Sequence, residues 1–178
     1  MPEISPIYTQ LRDVLVATTA DTGSMEPADD LPHVYGVVVD IGFEMLFTVA
    51  VYTDGRVIAC DANGGGFNNL GEIPETMIFG QAILRAAENN LDLFAPVNNT
   101  PLPAFGRVRF SVLTYEGLRS ANLEGPPLLK GQSPLSHAFA AVMGIMDLAR
   151  HMVLQPDKNE AGGGAEATAE GDAAKPVN

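Results

Sequence analysis

The residues best placed to do chemistry lie in one glycine-rich stretch, Asp61-Ala62-Asn63-Gly64-Gly65-Gly66, with Glu72 six residues further on. A twelve-residue calcium loop needs oxygen ligands at positions 1, 3 and 5, glycine at 6 and a two-oxygen glutamate at 12. Asp61, Asn63, Gly66 and Glu72 match that spacing. Gly65 brings no side-chain oxygen to position 5, and polar Asn68 stands where an apolar anchor belongs. A β-branched run, not a helix, precedes the loop. Asp61, Asn63 and Glu72 are the candidate metal set, and the competing expectation is a plain connection with solvated acids. Gly66 and Gly71 also have the spacing of a phosphate-cradling loop, but Glu72 follows where that loop needs lysine, and a carboxylate there repels phosphate.

The other reactive side chains form no set. Cys60 ends an apolar run, where a buried inert thiol is the common outcome, and its neighbour Asp61 disfavours a thiolate. His33, His137 and His151 are scattered, and the 14 residues between the last two put them nearly four helical turns apart. Val39-Asp40-Ile41-Gly42 with Asp54-Gly55 resembles the opening hairpin of actin-like ATPases and sugar kinases. Phe43, Glu44 and Met45 stand where that hairpin keeps small residues near phosphate, so an ordinary twisted hairpin is expected. Arg107 and Arg109 alternate with Val108 and Phe110, so both project from the polar side of one strand. They are the candidate interaction residues: able to hold an anion or an acidic partner, and equally able to pair with nearby carboxylates. No catalytic residues and no cofactor are assigned.

Charge bounds the partners. The chain has 178 residues and a formal net charge of −12. Residues 1–155 hold 17 acids against 8 bases, and the remainder 5 against 2, so most of the imbalance lies in the folded part. Nucleic-acid and anionic-membrane binding both rely on cationic side chains neutralising phosphate, so neither is expected, whereas a basic protein partner is compatible. One cysteine allows no intrachain disulfide. No basic-then-apolar leader and no membrane-length apolar run is read, which gives a cytoplasmic location as the default expectation.

The elements follow from periodicity. Ser5-Pro6 reads as a helix start, with Ile7, Leu11, Val14 and Leu15 on one face. Val34 to Ile41 is a buried strand. Met45 to Tyr52 and Val57 to Cys60 pair through the Thr53-Asp54-Gly55-Arg56 turn. Pro74-Glu75 opens a helix whose stripe is Met77, Gly80, Leu84, Ala87, Leu91 and Phe94. Arg107 to Val112 is a half-buried strand, Leu118 to Leu123 pairs back, and Gly125-Pro126-Pro127 ends it. Ser133-Pro134 starts a last helix running to about Leu154. From Gln155 the apolar period vanishes, so 1–154 is expected to be the domain and 155–178 a disordered, acidic Gly/Ala-rich tail. The predicted fold is α+β in the order α-β-β-β-α-β-β-α: an antiparallel sheet of about five strands with three helices packed on one face, resembling the layout of profilin-like and roadblock-type domains.

Val34-Tyr35-Gly36-Val37-Val38 with Asp54-Gly55, Gly64-Gly65-Gly66 with Gly71-Glu72, Pro101 through Phe110 with Leu113-Thr114, and Ser133-Pro134-Leu135 resemble a family of uncharacterised bacterial proteins. That resemblance spans most of residues 6–154 and implies a single domain without implying an activity. The functional expectation is a non-enzymatic interaction or regulatory domain, an immunity-like role against a basic protein partner being one version, and a homodimer is compatible. The alternative is a small ligand-binding or metal-binding protein, or a small enzyme, using loop 61–72. A deep polar pocket lined by Asp61, Asn63 and Glu72 favours the alternative, whereas an apolar surface favours interaction.

Overall fold

The computed structural model describes residues 4–154; the tail expected from 155 to 178 lies outside them. Ser5 caps the first helix, α1 (Pro6–Ala17), its hydroxyl accepting the Ile7 N–H at 3.2 Å while Pro6 occupies the first turn, where no N–H is needed. The face that α1 buries is not the one its apolar spacing predicts. Tyr8, Arg12 and Leu15 are buried, whereas Ile7 and Val14 are each 64% exposed. The helix is turned because Arg12 pairs with a buried carboxylate, and a polar member of a buried stripe is invisible to an apolar period.

Seven strands follow: β1 (Val34–Gly42), β2 (Leu46–Tyr52), β3 (Val57–Asp61), β4 (Gly66–Phe67), β5 (Ala95–Pro96), β6 (Arg107–Thr114) and β7 (Gly117–Glu124). They form one antiparallel sheet in the order β4-β3-β2-β1-β6-β7-β5. β1 is central and buried along all nine residues, as its Val/Ile content requires. The β2–β3 hairpin turns at Gly55, whose φ of +89° only glycine adopts freely, while the Asp54 carboxylate accepts the Arg56 N–H at 3.1 Å. A bulge between Val34 and Gly36 resets the alternation, so Val34 and Val37 face the same way although three residues apart.

The helices after the meander are α2 (Pro74–Asn89), α3 (Gly125–Leu129) and α4 (Ser136–Leu154). The described residues thus hold seven strands and four helices, where the sequence suggests five and three. The additional strands β4 and β5 are two residues each, too short for any periodic signal. The additional helix α3 begins in Gly125-Pro126-Pro127, which reads as a terminator. A proline in a first helical turn loses no hydrogen bond, so the same residues open a helix that buries Leu128.

Helices cover both faces of the sheet, not one. α2 and α4 bury Ile83, Leu84, Ala87, Phe139, Val142 and Ile145 against Val37, Val39, Val49, Val51, Phe110 and Val112. On the opposite face α1 brings Tyr8 and Leu15 against Val38, Ala50, Tyr52, Cys60 and Leu113. The end of α1 is tied by tyrosines: Tyr52 donates to the Leu15 carbonyl at 2.8 Å and Tyr35 to that of Thr18 at 3.0 Å, satisfying oxygens a helix terminus leaves free. In α2, Gly80, Leu84 and Ala87 are buried as the stripe predicts, but Met77 at its start is 44% exposed.

Candidate functional site

The glycine-rich segment folds as a tight turn. The Asp61 carboxylate accepts the Asn63 N–H at 2.8 Å, Gly64 donates to the Asp61 carbonyl at 2.9 Å with φ +88°, and Asp61 N–H reaches the Gly65 carbonyl at 2.9 Å. Gly66 and Phe67 then pair with Cys60 and Ala59. A side chain at Gly66 would meet the Ala59 carbonyl, and one at Gly71 the Gly55 carbonyl, which explains both glycines by close backbone approach. Asp61 and Asn63 are therefore brought together within the turn, Asn63 Nδ2 lying 3.5 Å from Met45 Sδ. Glu72 belongs to a separate 3₁₀ turn, Leu70–Glu72, past β4. Among the described residues no three His, Cys, Asp or Glu side chains are grouped to hold a metal ion.

A buried ionic network lies on the α1 side of the sheet. Asp40, fully enclosed in β1, receives Arg12 Nη2 at 2.8 Å and Nε at 3.4 Å, and the Thr48 hydroxyl at 2.7 Å. Thr48 in turn accepts the Tyr8 hydroxyl at 2.7 Å, and Arg12 Nη2 also donates to Thr100 at 2.9 Å. Burial opposes the Arg12 charge, but the hydrogen bond and charge of Asp40 outweigh it and hold the pKa up. Burial raises the Tyr8 hydroxyl, and it pushes the Cys60 thiol up to about 12, with Asp40 and Asp61 adding to that shift. Cys60 is thus a protonated, buried thiol at neutral pH. Sequence spacing missed this network. The available signal was one carboxylate inside the run Val37-Val38-Val39-Asp40-Ile41, because a charge in a buried strand requires a counter-charge.

Arg107 and Arg109 share that sheet face, in register with Glu124 and Asn122 of β7. Arg107 donates to the Asn122 carbonyl at 2.7 Å and lies 3.8 Å from Glu124; Arg109 Nη1 reaches the Ser120 hydroxyl at 3.3 Å. Burial lowers the Arg109 pKa, and Asp40 opposes that shift. The three histidines stay apart: His33 pairs with Glu88 at 2.6 Å, His151 bonds the Asp147 carbonyl at 2.7 Å, and His137 lies elsewhere on α4.

An apolar groove runs where the β1–β2 turn and the β3–β4 turn meet α4. One lobe, about 400 Å³, is lined by Ile41, Phe43, Glu44, Met45, Phe47, Met143, Met146 and Arg150. The second lobe shares Met45, Phe47, Met146 and Arg150 and continues over Ala59, Asp61 and Phe67. Arg150 lies over the Phe47 ring at 5.1 Å. Asp61 thus borders a mainly apolar groove; Asn63 and Glu72 do not line it. A larger cavity, about 480 Å³, sits between residues 24–31, the β2–β3 turn and α2, and none of Asp61, Asn63 and Glu72 lines it.

Comparison with known protein families, with curated proteins and with solved structures returns no match to this chain. Roles for its residues therefore rest on geometry. No helix among the described residues is long and apolar enough to cross a membrane.

Proposed function

We propose that this chain is a non-enzymatic protein-interaction domain, and that the groove between α4 and the β1–β2 turn receives an apolar, basic segment of a partner protein. The observation carrying this reading is the continuity of Phe43, Met45, Phe47, Phe67, Met143 and Met146 around one groove. Methionine suits such a surface because its unbranched, polarisable side chain repacks around differently shaped apolar groups. Glu44 and Asp61 border the two lobes, Arg150 is already engaged over Phe47, and the chain carries −12, so the complementary segment is cationic. The element order resembles profilin-like and roadblock-type layouts; this likeness is topological, and the groove supports the reading without it. An immunity-like role against a basic partner is one form of the same proposal.

The test is a titration of the full chain with two amphipathic peptides of equal length, one lysine-rich and one glutamate-rich, followed through methionine methyl resonances. The lysine-rich peptide is expected to move Met45, Met143 and Met146 and to leave Met77, which lines the other cavity. Met143→Glu, or Met45→Glu if the first variant folds poorly, should weaken binding by about tenfold or more, about 1.4 kcal/mol. No shift at the groove methyls, or equal binding of both peptides, would sink the reading.

A further inference from the structure

We propose that the cavity between residues 24–31, the β2–β3 turn and α2 binds a small organic amine, an ammonium head on an apolar body. This site is separate from the groove beside α4. The cavity holds about 480 Å³, within the range of small-molecule pockets. Its floor is apolar: Met25, Leu31, Tyr52, Val57 and Leu84 line it, and each is no more than 9% exposed. The wall formed by residues 24–31 is tied down at both ends. The Met25 N–H donates to the Ala20 carbonyl at 2.9 Å, and the Leu31 N–H to that of Ala28 at 3.0 Å. Asp30 reaches across to Arg85 of α2 at 3.0 Å, so the fold itself sets the walls.

Gly80 points to an occupant. It lies in the interior of α2, where glycine weakens a helix relative to alanine. Neither backbone conformation nor packing demands it. Its φ is not positive, and a Cβ built there would sit 3.5 Å from Val57 and 3.7 Å from Val51, ordinary van der Waals contact. The fold has room for a side chain that the sequence leaves out, and that room opens on the cavity. Charge then selects the ligand. Glu26, Asp30 and Asp54 line the cavity against one base, Arg85. Asp30 is matched by Arg85, and Asp54 by Arg56 at 2.7 Å. Glu26 has no ion-pair partner among the described residues. One unmatched carboxylate beside an apolar floor suits a single ammonium, whose N–H groups it accepts with the help of charge. An anionic ligand of the same size meets repulsion instead, and the chain's net charge of −12 adds to it.

The probes are phenylbutylamine, its carboxylate counterpart phenylbutyrate, and butylamine, each added to the full chain and followed through methionine methyl resonances. Phenylbutylamine is expected to move Met25 and Met77, which line the cavity, with Kd below about 1 mM. Phenylbutyrate should bind at least about tenfold more weakly, and so should butylamine, which matches a lysine side chain and lacks the apolar body. Gly80→Leu fills the cavity and Glu26→Gln removes the anchor, so each should weaken the amine by about tenfold or more, whereas Glu124→Gln on β7 should not. Absence of saturable shifts at Met25 and Met77 overturns the site, as does phenylbutyrate binding as tightly as the amine. Butylamine matching phenylbutylamine would assign the cavity to a lysine of a partner chain, and overturns it too. If Gly80→Leu fails to fold, Glu26→Gln and the amine-to-carboxylate ratio of the unmodified chain decide.

Discussion

Asp40 has no access to water, yet it carries a hydrogen-bond set fit only for a carboxylate: two guanidinium donors and a threonine hydroxyl. Breaking one side of such a pair strands the other charge, which costs about 3–5 kcal/mol, whereas removing both partners costs less. Arg12→Met should therefore lower the urea-derived unfolding free energy by that amount, and Asp40→Asn combined with Arg12→Met should recover part of it. A single-variant loss below about 1 kcal/mol would mean water reaches Asp40. Cys60 and Tyr8 set the alkaline limit. In the unfolded chain the thiol titrates near 9 and tyrosine near 10, while in the fold the thiol is held up to about 12 and Tyr8 is raised further. The native state then binds more protons than the unfolded state above pH 9, so stability falls as pH rises through that window. Thermal midpoints recorded from pH 7 to 11 should be flat and then decline past about pH 9. Native Cys60 should resist thiol reagents at pH 8 and react once the chain is unfolded.

At the scale of the element, α1 is held by three side chains of different kinds. Leu15 packs, Tyr8 packs and donates, and Arg12 pairs with Asp40. Val14, its neighbour in the apolar spacing, faces outward. Leu15→Ala should cost about 2–5 kcal/mol, and Val14→Ala less than about 0.5 kcal/mol. A denaturant series on both variants checks the orientation; equal losses would put Val14 against a surface. At the same scale, the glycine-rich segment closes as a turn: the Asp61 carboxylate accepts a backbone N–H inside it, and Glu72 is carried on its own short 3₁₀ turn.

For the whole molecule, helices on both faces of one seven-stranded sheet account for every buried apolar side chain named here, all within residues 4–154. We propose that this span is the folding unit. A chain ending at Leu154 keeps all of those contacts and loses three net negative charges. Its thermal midpoint should stay within about 4 °C of the full chain, the upper end of the shift that roughly 1 kcal/mol produces in a domain of this size. A larger drop would assign packing to residues 155–178.

The five longer strands, the Asp54-Gly55 turn, the Ser5-Pro6 start and the Gly80, Leu84 and Ala87 positions of the α2 stripe were legible in the sequence, because each depends on residues a few positions apart. A β-branched run buries itself on a pleated surface, a serine caps the N–H two residues on, and Gly55 takes a positive φ, wherever the chain goes next. The rest needed contacts that local spacing does not encode. Arg12 and Asp40 are 28 residues apart and Arg12 and Thr100 are 88, so the true buried face of α1 appears only once the sheet is assembled. The alternation of Arg107 and Arg109 with apolar residues was readable, but that Arg109 is left with a hydroxyl while Arg107 lies by Glu124 was not, since it depends on Arg12 having claimed Asp40. The groove joins residues 41–67 to residues 143–150, and its apolar character follows from the β1–β2 and β3–β4 turns docking beside α4, a meeting decided by how the layers pack.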